Sequence, residues 1–412
     1  MVDNMAINVK IQKDILIPAA ENPDDHSFYY TINPSYTSTE GLGMVMTSVR
    51  WISKGNDDWR DRKSIIQRMR SEDNGACWTK YGPEMSSDTL RSNNQNLAPH
   101  HFLDHDNGLL LSIHQITRPK SADGTPNTSL YYEISKDQGK TWGPAKPIIC
   151  KGSGFDQAHW MPGVNREGRY SGVDQPKFAK LDDGTIVFGL TLLKPAPRFP
   201  DEQLYDGVVF LRGTWSHDKS EITWEAGKFI RVPSTVSPYG VDEPDLIHLG
   251  GQRLLTTMRC EGLLEPLGIF SSRQWATSED GGRTWSDPKT LCYEDGSMVC
   301  VPASLSAFEK HPRTGKIYWF SNIQDRPITG SMPRYPLTMA ELDPNRICIL
   351  KHSVTVIQDL PKGAPANRTY SNFGHYVDRV TGEFVLMMAE KPLINDRDFR
   401  ADSVRFRIHV LD

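Results

Sequence analysis

Apolar residues along this chain come in short runs bounded by turn residues, and no helical period is sustained, which predicts an all-β protein. The runs group in threes. Phe28–Tyr36, Gly43–Ile52 and Ser64–Arg70 form the first group. His100–Leu103, Leu109–Ile116 and Ser129–Ile134 form the second. Pro176–Leu181, Thr185–Leu192 and Gly207–Trp215 form the third, and Asp245–Leu249, Arg253–Arg259 and Arg273–Thr277 the fourth. Ala303–Phe308, Ile317–Ser321 and Leu337–Glu341 follow. Tyr370–Val377, Phe384–Ala389 and Ser403–Val410 end the series.

A recurring string closes most of these groups. Ser278-Glu279-Asp280-Gly281-Gly282-Arg283-Thr284-Trp285 reads S-x-D-x-G-x-T-W, and Ser135 to Trp142 repeats it. Ser71 to Trp78 is a degenerate copy, and Ser216-His217-Asp218 with Thr223-Trp224 is a stretched one. Asp343 is a remnant in the fifth group. Ser and Asp can bond nearby backbone amides, Gly takes positive φ, and Trp packs back onto the sheet. Four copies spaced 62 to 81 residues apart are an internal repeat. They resemble the Asp-box repeats of sialidase-like β-propellers. That resemblance implies four-stranded blades, with each box between the third and fourth strands. Six blades fit the repeat; seven would need a shorter spacing. The sixth blade lacks one strand, and the alternating stretch Ala6–Ile15 can supply it, closing the ring and removing open sheet edges. The whole span 1–412 is then one propeller domain.

Composition narrows the function little. A net charge of −4 over 412 residues suggests neither nucleic acid nor an anionic membrane as partner. No apolar run is long enough for a transmembrane helix. Met1 to Ile15 lacks a signal-peptide core. The six cysteines have no metal-ligand spacing and read as buried free thiols.

In a propeller the starts of the first strands and the ends of the second ring one mouth of the central channel, and the Asp boxes lie on the opposite face. Here the resemblance to sialidases reaches individual residues. Glu243-Pro244 followed by Arg259 looks like the family's nucleophile-assisting Glu and second arginine. Arg334 looks like the third arginine, Tyr370-Ser371 like the nucleophile segment, and Glu390 stands where a supporting Glu would. Arginine suits a carboxylate because its fork donates two parallel charged bonds. Two departures matter. Thr31-Ile32-Asn33-Pro34 replaces the family's Arg-Ile-Pro, so the first arginine is missing. For the acid/base Asp, only Asp57 and Asp58 stand as candidates.

The second group instead enters with His100-His101, and its second strand ends in His114 on the same mouth, a candidate substrate contact. Arginines, histidines and a tyrosine suit β-elimination beside a uronate carboxylate. The arginines acidify the C5 proton, and a His or Tyr handles each proton transfer. At whole-chain level the sequence is similar to the fungal rhamnose–glucuronate lyases of polysaccharide lyase family 27. This implies an exo-acting lyase that releases terminal L-rhamnose from glucuronate in arabinogalactan glycans. The partner is then an acidic glycan, the location extracellular, and the protein a monomer. A sialidase-like glycosidase and a non-catalytic glycan-binding propeller are the rivals. His100 and His101 are the preferred acid/base pair. His105 reads as a turn residue on the far face, but its flanking aspartates would favour its charged form, which keeps it among the catalytic candidates. Arg166 and Trp160, in the long Lys151–Asp174 insertion, could pass over the mouth as clamp and stacking platform, though Trp160 serves equally as loop packing. No cofactor is required. A structural calcium is compatible with channel carboxylates, without a ligand motif to argue for it.

Overall fold

The computed structural model describes residues 7–22, 26–52, 63–87, 95–96, 99–118, 127–166, 168–172, 176–194, 204–263, 265, 268–391 and 400–411. Among these the strands form six antiparallel sheets, the blades of a six-bladed β-propeller. Blade I runs through Ser27–Tyr36, Met44–Ile52, Lys63–Ser71 and Thr79–Lys80. Blade II uses His100–Asp104, Leu109–Arg118, Asn127–Ser135 and Lys146–Pro147. Blade III uses Phe178–Lys180, Ile186–Leu193, Tyr205–Trp215 and Ile222–Ala226. Blade IV is Val241–Gly250, Arg253–Cys260, Ser272–Ser278 and Lys289–Thr290. Blade V is Ala307–Lys310, Ile317–Ser321, Leu337–Asp343 and Cys348–Ile349. Blade VI takes Gly374–Val377, Phe384–Ala389 and Ser403–Val410, and its outer strand is Val9–Ile17. That N-terminal strand pairs antiparallel with Ser403–Val410 from Val9↔Val410 to Ile17↔Ser403, so the two ends of the chain close the ring.

The core lies between blades. One apolar cluster joins II to III around Leu190, Val209 and Trp224; the next joins III to IV around Phe210 and Leu254. Others join IV to V, V to VI, and VI to I. The Asp-box tryptophans take part in this stitching. Trp285 of blade IV packs on Phe210 of blade III with ring centroids 4.4 Å apart and the planes tilted by 37°. Trp142 of blade II lies 4.9 Å under the Arg68 guanidinium of blade I. Trp78 of blade I packs with Tyr376 and Met387 of blade VI. Each box therefore shapes its own turn and also packs its blade against the preceding one.

Two expectations change. The first strands of blades V and VI start later than their sequence runs, at Ala307 and Gly374, so Ala303 and Tyr370 sit in irregular backbone. Of the cysteines, Cys150, Cys260 and Cys348 are buried, but Cys77 is exposed. Among the described residues no helix is long and apolar enough to cross a membrane.

Candidate active site

Blade IV brings the charged groups together by register. Asp242 pairs with Arg259, and Arg259 with Arg273, so one acid and two cations lie in a row across three strands. Two arginines directly opposite each other repel, and the sequence answers with acids at the same point. The register slips between Asp242 and Asp245. At that irregularity Glu243 adopts φ +44, a left-handed conformation that costs a non-glycine residue on the order of 1–3 kcal/mol. The following Pro244 has no N–H to give the ladder. This kink aims Glu243 at Arg259, whose Nη1 donates to Glu243 Oε1 at 2.9 Å and lies 3.4 Å from Asp242 Oδ2. Arg259 Nη2 reaches Glu261 Oε2 at 3.4 Å.

Arg273 lies behind them, 1% exposed, with Nε and Nη2 buried and unpartnered. Burial pushes its pKa down to about 10, so it stays protonated at neutral pH. Arg334 comes from the loop before the third strand of blade V. It donates to Ser331 O at 3.0 Å, Asn372 Oδ1 at 2.6 Å and Ala303 O at 3.2 Å. Burial and the charge of Arg259 bring it, too, down to about 10.

The neighbouring acids are driven apart. Burial works to raise Glu243, but Arg259, Arg273 and Arg334 outweigh it and hold its carboxyl below the usual range. Asp242 is raised, by burial first and with the Glu243 charge adding to it. Tyr205, at the start of the third strand of blade III, donates a hydrogen bond to Asp242. The Asp242 charge and burial hold that phenol well above its ordinary pKa. One ionised carboxylate thus faces three arginines, and a protonated phenol stands beside the first of them, which is how environments separate an acid from a base.

Of the residues expected at this mouth, Glu243, Arg259 and Arg334 are brought together. Tyr370 adjoins them through the backbone, its N–H donating to Arg334 O at 2.9 Å. Its side chain is fully buried, which raises its pKa. Glu390 is paired with Lys13 of the closing strand and lies 3.9 Å from Arg368. Asp57 and Asp58 lie outside the described residues. Tyr205, Asp242, Glu261 and Arg273 carried no signal in the sequence beyond the adjacency of Asp242 to Glu243.

The histidines lie elsewhere. His100 and His101 line a cavity of about 200 Å³ in the central channel, with Tyr36, Lys177, Glu309 and His375. The wall extends to His105 and Val377, at the channel's Asp-box end, and includes none of the arginine cluster. Both imidazoles are 5% exposed, and the Nδ1 of each is buried without a partner. Burial pushes His100 down to about 3 and His101 well below its usual value. His101 also stacks on Trp142 and lies 3.4 Å from Thr47 Oγ1. They are neutral groups, poorly matched to proton transfer near neutral pH.

Four further candidates find their places. His105 occupies the far-face turn, but burial and Arg379 outweigh its flanking aspartates and lower its pKa. His114 sits within a strand that runs on to Arg118, stacked on Tyr131, rather than at the strand's end. Trp160 is no platform: it is 1% exposed in the core between blades II and III, and its Nε1 donates to Thr128 O at 2.7 Å. Arg166 is exposed on its loop, and among the described residues it forms no ion pair or hydrogen bond with Glu243, Arg259 or Arg334. Among the described residues no group of His, Cys, Asp and Glu is placed to hold a metal ion.

No family model matches the chain, and neither does any curated protein. Solved structures do. The NanB sialidase from Streptococcus pneumoniae, as a mutant, superposes with a TM-score of 0.58 at 12% identity, over 96% of this chain and 70% of that one. The fold is that of the sialidase-type β-propellers. An intramolecular trans-sialidase from Ruminococcus gnavus gives 0.56 at 11% identity, covering 97% of each chain. An α-L-arabinanase from Penicillium chrysogenum, complexed with arabinobiose, gives 0.54 at 13%, over 96% and 98%. A Dyadobacter fermentans protein of unknown function gives 0.58 at 13%, over 97% and 99%. The named enzymes among these neighbours process glycans, and at such identities the likeness carries the fold alone.

Proposed function

We propose that the protein is an enzyme acting on an acidic glycan, and that it cleaves a bond to glucuronate by β-elimination. The leaving sugar is a terminal L-rhamnose of an arabinogalactan-type glycan. The observation that carries this reading is the convergence of Arg259, Arg273 and Arg334 on one ionised carboxylate beside the Tyr205–Asp242 pair. A uronate carboxylate entering here competes with Glu243 for Arg259. The arginines neutralise the incoming charge, which acidifies the C5 proton. Glu243, relieved of its partner, becomes a stronger base and takes that proton. The C4–O bond breaks, C4=C5 forms, and Tyr205 protonates the departing oxygen. His100 and His101 take no part in this scheme.

The backbone tie between Tyr370 and Arg334 favours a second reading, a retaining glycosidase with Tyr370 as nucleophile. The two differ in product. Elimination leaves an unsaturated uronate that absorbs in the near ultraviolet, and hydrolysis does not. The test incubates the protein with a rhamnose-capped glucuronate glycan and follows absorbance and released sugar together. Both are expected to rise in step. In Arg259→Lys, which keeps the charge but loses the fork, the rate should fall on the order of 10- to 100-fold with an unchanged melting curve. Sugar release without absorbance, with a fluorinated analogue trapped on Tyr370, would establish the glycosidase instead. Binding without turnover would reject both.

A further inference from the structure

The central-channel cavity has a built polar wall that the arginine cluster does not use. Lys177 Nζ lies 3.4 Å from Glu309 Oε2, and Glu309 Oε1 is bonded to His375 Nδ1 at 2.7 Å. Burial alone would raise Glu309, but Lys177 and His375 outweigh it and hold its carboxyl at about 2. The same wall includes His100 and His101, both buried, each with an enclosed and unpartnered Nδ1. Phe178 adds an apolar face to the same wall.

The wall selects among ligands by its chemistry. A metal ion has no ligand cluster among the described residues. An anion would meet the Glu309 carboxylate, and an amine would meet Lys177. With its Nδ1 enclosed, the His100 ring has its Nε2 left to donate or accept according to tautomer, and Lys177 and Glu309 add a donor and an acceptor. Hydroxyl groups, which donate and accept, match such a mixture, and an aromatic face suits the C–H face of a sugar ring. The volume, about 200 Å³, equals that of roughly six or seven waters, enough for one sugar ring.

We propose that this cavity is a second binding site, taking one neutral monosaccharide unit from the Asp-box face of the propeller. It rests on the cavity wall alone and stands whether or not the arginine cluster performs elimination. The test titrates the full chain with galactose, arabinose and rhamnose, with glucuronate as the anionic control, followed by ligand-observed NMR. At least one neutral sugar should saturate with a Kd on the order of 1 mM. His100→Leu fills a similar volume without ring nitrogens and should weaken that sugar more than tenfold. His100→Gln keeps a donor and an acceptor and should hold it within a few-fold, which covers the case in which the leucine variant fails to fold. No saturation by any neutral sugar would overturn the proposal, as would equal affinity in a folded His100→Leu protein, tenfold weakening in a folded His100→Gln protein, or a loss of glucuronate binding in His100→Leu equal to that of the neutral sugar, since glucuronate held at the arginine cluster is untouched by that variant.

Discussion

His100 shows how one residue's placement becomes a property of the whole protein. Its folded pKa, about 3, lies below the ordinary histidine value of 6.5. Between these values the unfolded chain carries a proton that the folded chain refuses. The stability contributed by keeping His100 neutral is therefore complete above about pH 6.5 and is lost as pH falls toward 3, at about 1.4 kcal/mol per pH unit. His101 acts in the same direction. The slope of unfolding free energy against pH, from urea titrations between pH 6.5 and 4.5, should drop by one proton in His100→Leu. An unchanged slope would mean that His100 is charged or solvated in the folded state. The sequence brought these histidines into view but not their surroundings. Their type and position are local facts, whereas burial and partnership depend on five other blades. The same limit hid Arg273 and Asp242, which matter because of cross-strand register with Arg259. It also disguised Trp160, whose aromatic ring serves the inter-blade core.

At the scale of elements the sequence was most legible, because the Asp box is a self-contained turn. Asp280 Oδ1 accepts from Thr284 N at 2.8 Å and from Ser278 Oγ at 2.8 Å, and Oδ2 accepts from Thr284 Oγ1 at 2.6 Å. Asp137 repeats these bonds with Thr141 and Ser135. The degenerate copy keeps Asp73 bonded to Cys77 N and Ser71, but Cys77 replaces the threonine hydroxyl. Replacing Asp280 with Ala removes three part-exposed bonds and should destabilise the fold by about 1–2 kcal/mol. The arginine cluster lies at the opposite mouth, so the folded fraction should keep its catalytic constants. A lower thermal midpoint with unaltered kcat/KM is the expected pair of results; an unchanged midpoint with lost turnover would place this turn in the site. What the local pattern could not give was the last stretch of chain into the mouth. Tyr370 and Ala303 read as strand residues by their neighbours, yet backbone bonds to Arg334 and Gly330 draw them into irregular conformations.

At the scale of the molecule, ring closure depends on the strand Val9–Ile17. It supplies the outer edge of blade VI, and Val9 and Ile11 pack on the V–VI core while Leu16 packs on the VI–I core. It also adds Asp14, 3.2 Å from Arg405, and Lys13, paired with Glu390. Without it, Ser403–Val410 would present an unpaired edge whose side chains alternate between buried and partly exposed, a template for another chain. Neighbouring clusters connect each blade to the next, so losing one strand loosens two interfaces. Deleting residues 1–17 should therefore lower the melting temperature and shift the protein to larger species in size-exclusion chromatography. A synthetic peptide spanning residues 7–17 should restore both, because the open edge has one register that buries Val9 and Ile11 together. The Asp boxes of blades II to IV lie outside the deleted contacts, so far-ultraviolet circular dichroism should change little. A truncated chain that melts and elutes like the full one would show that the ring closes without its N-terminal strand.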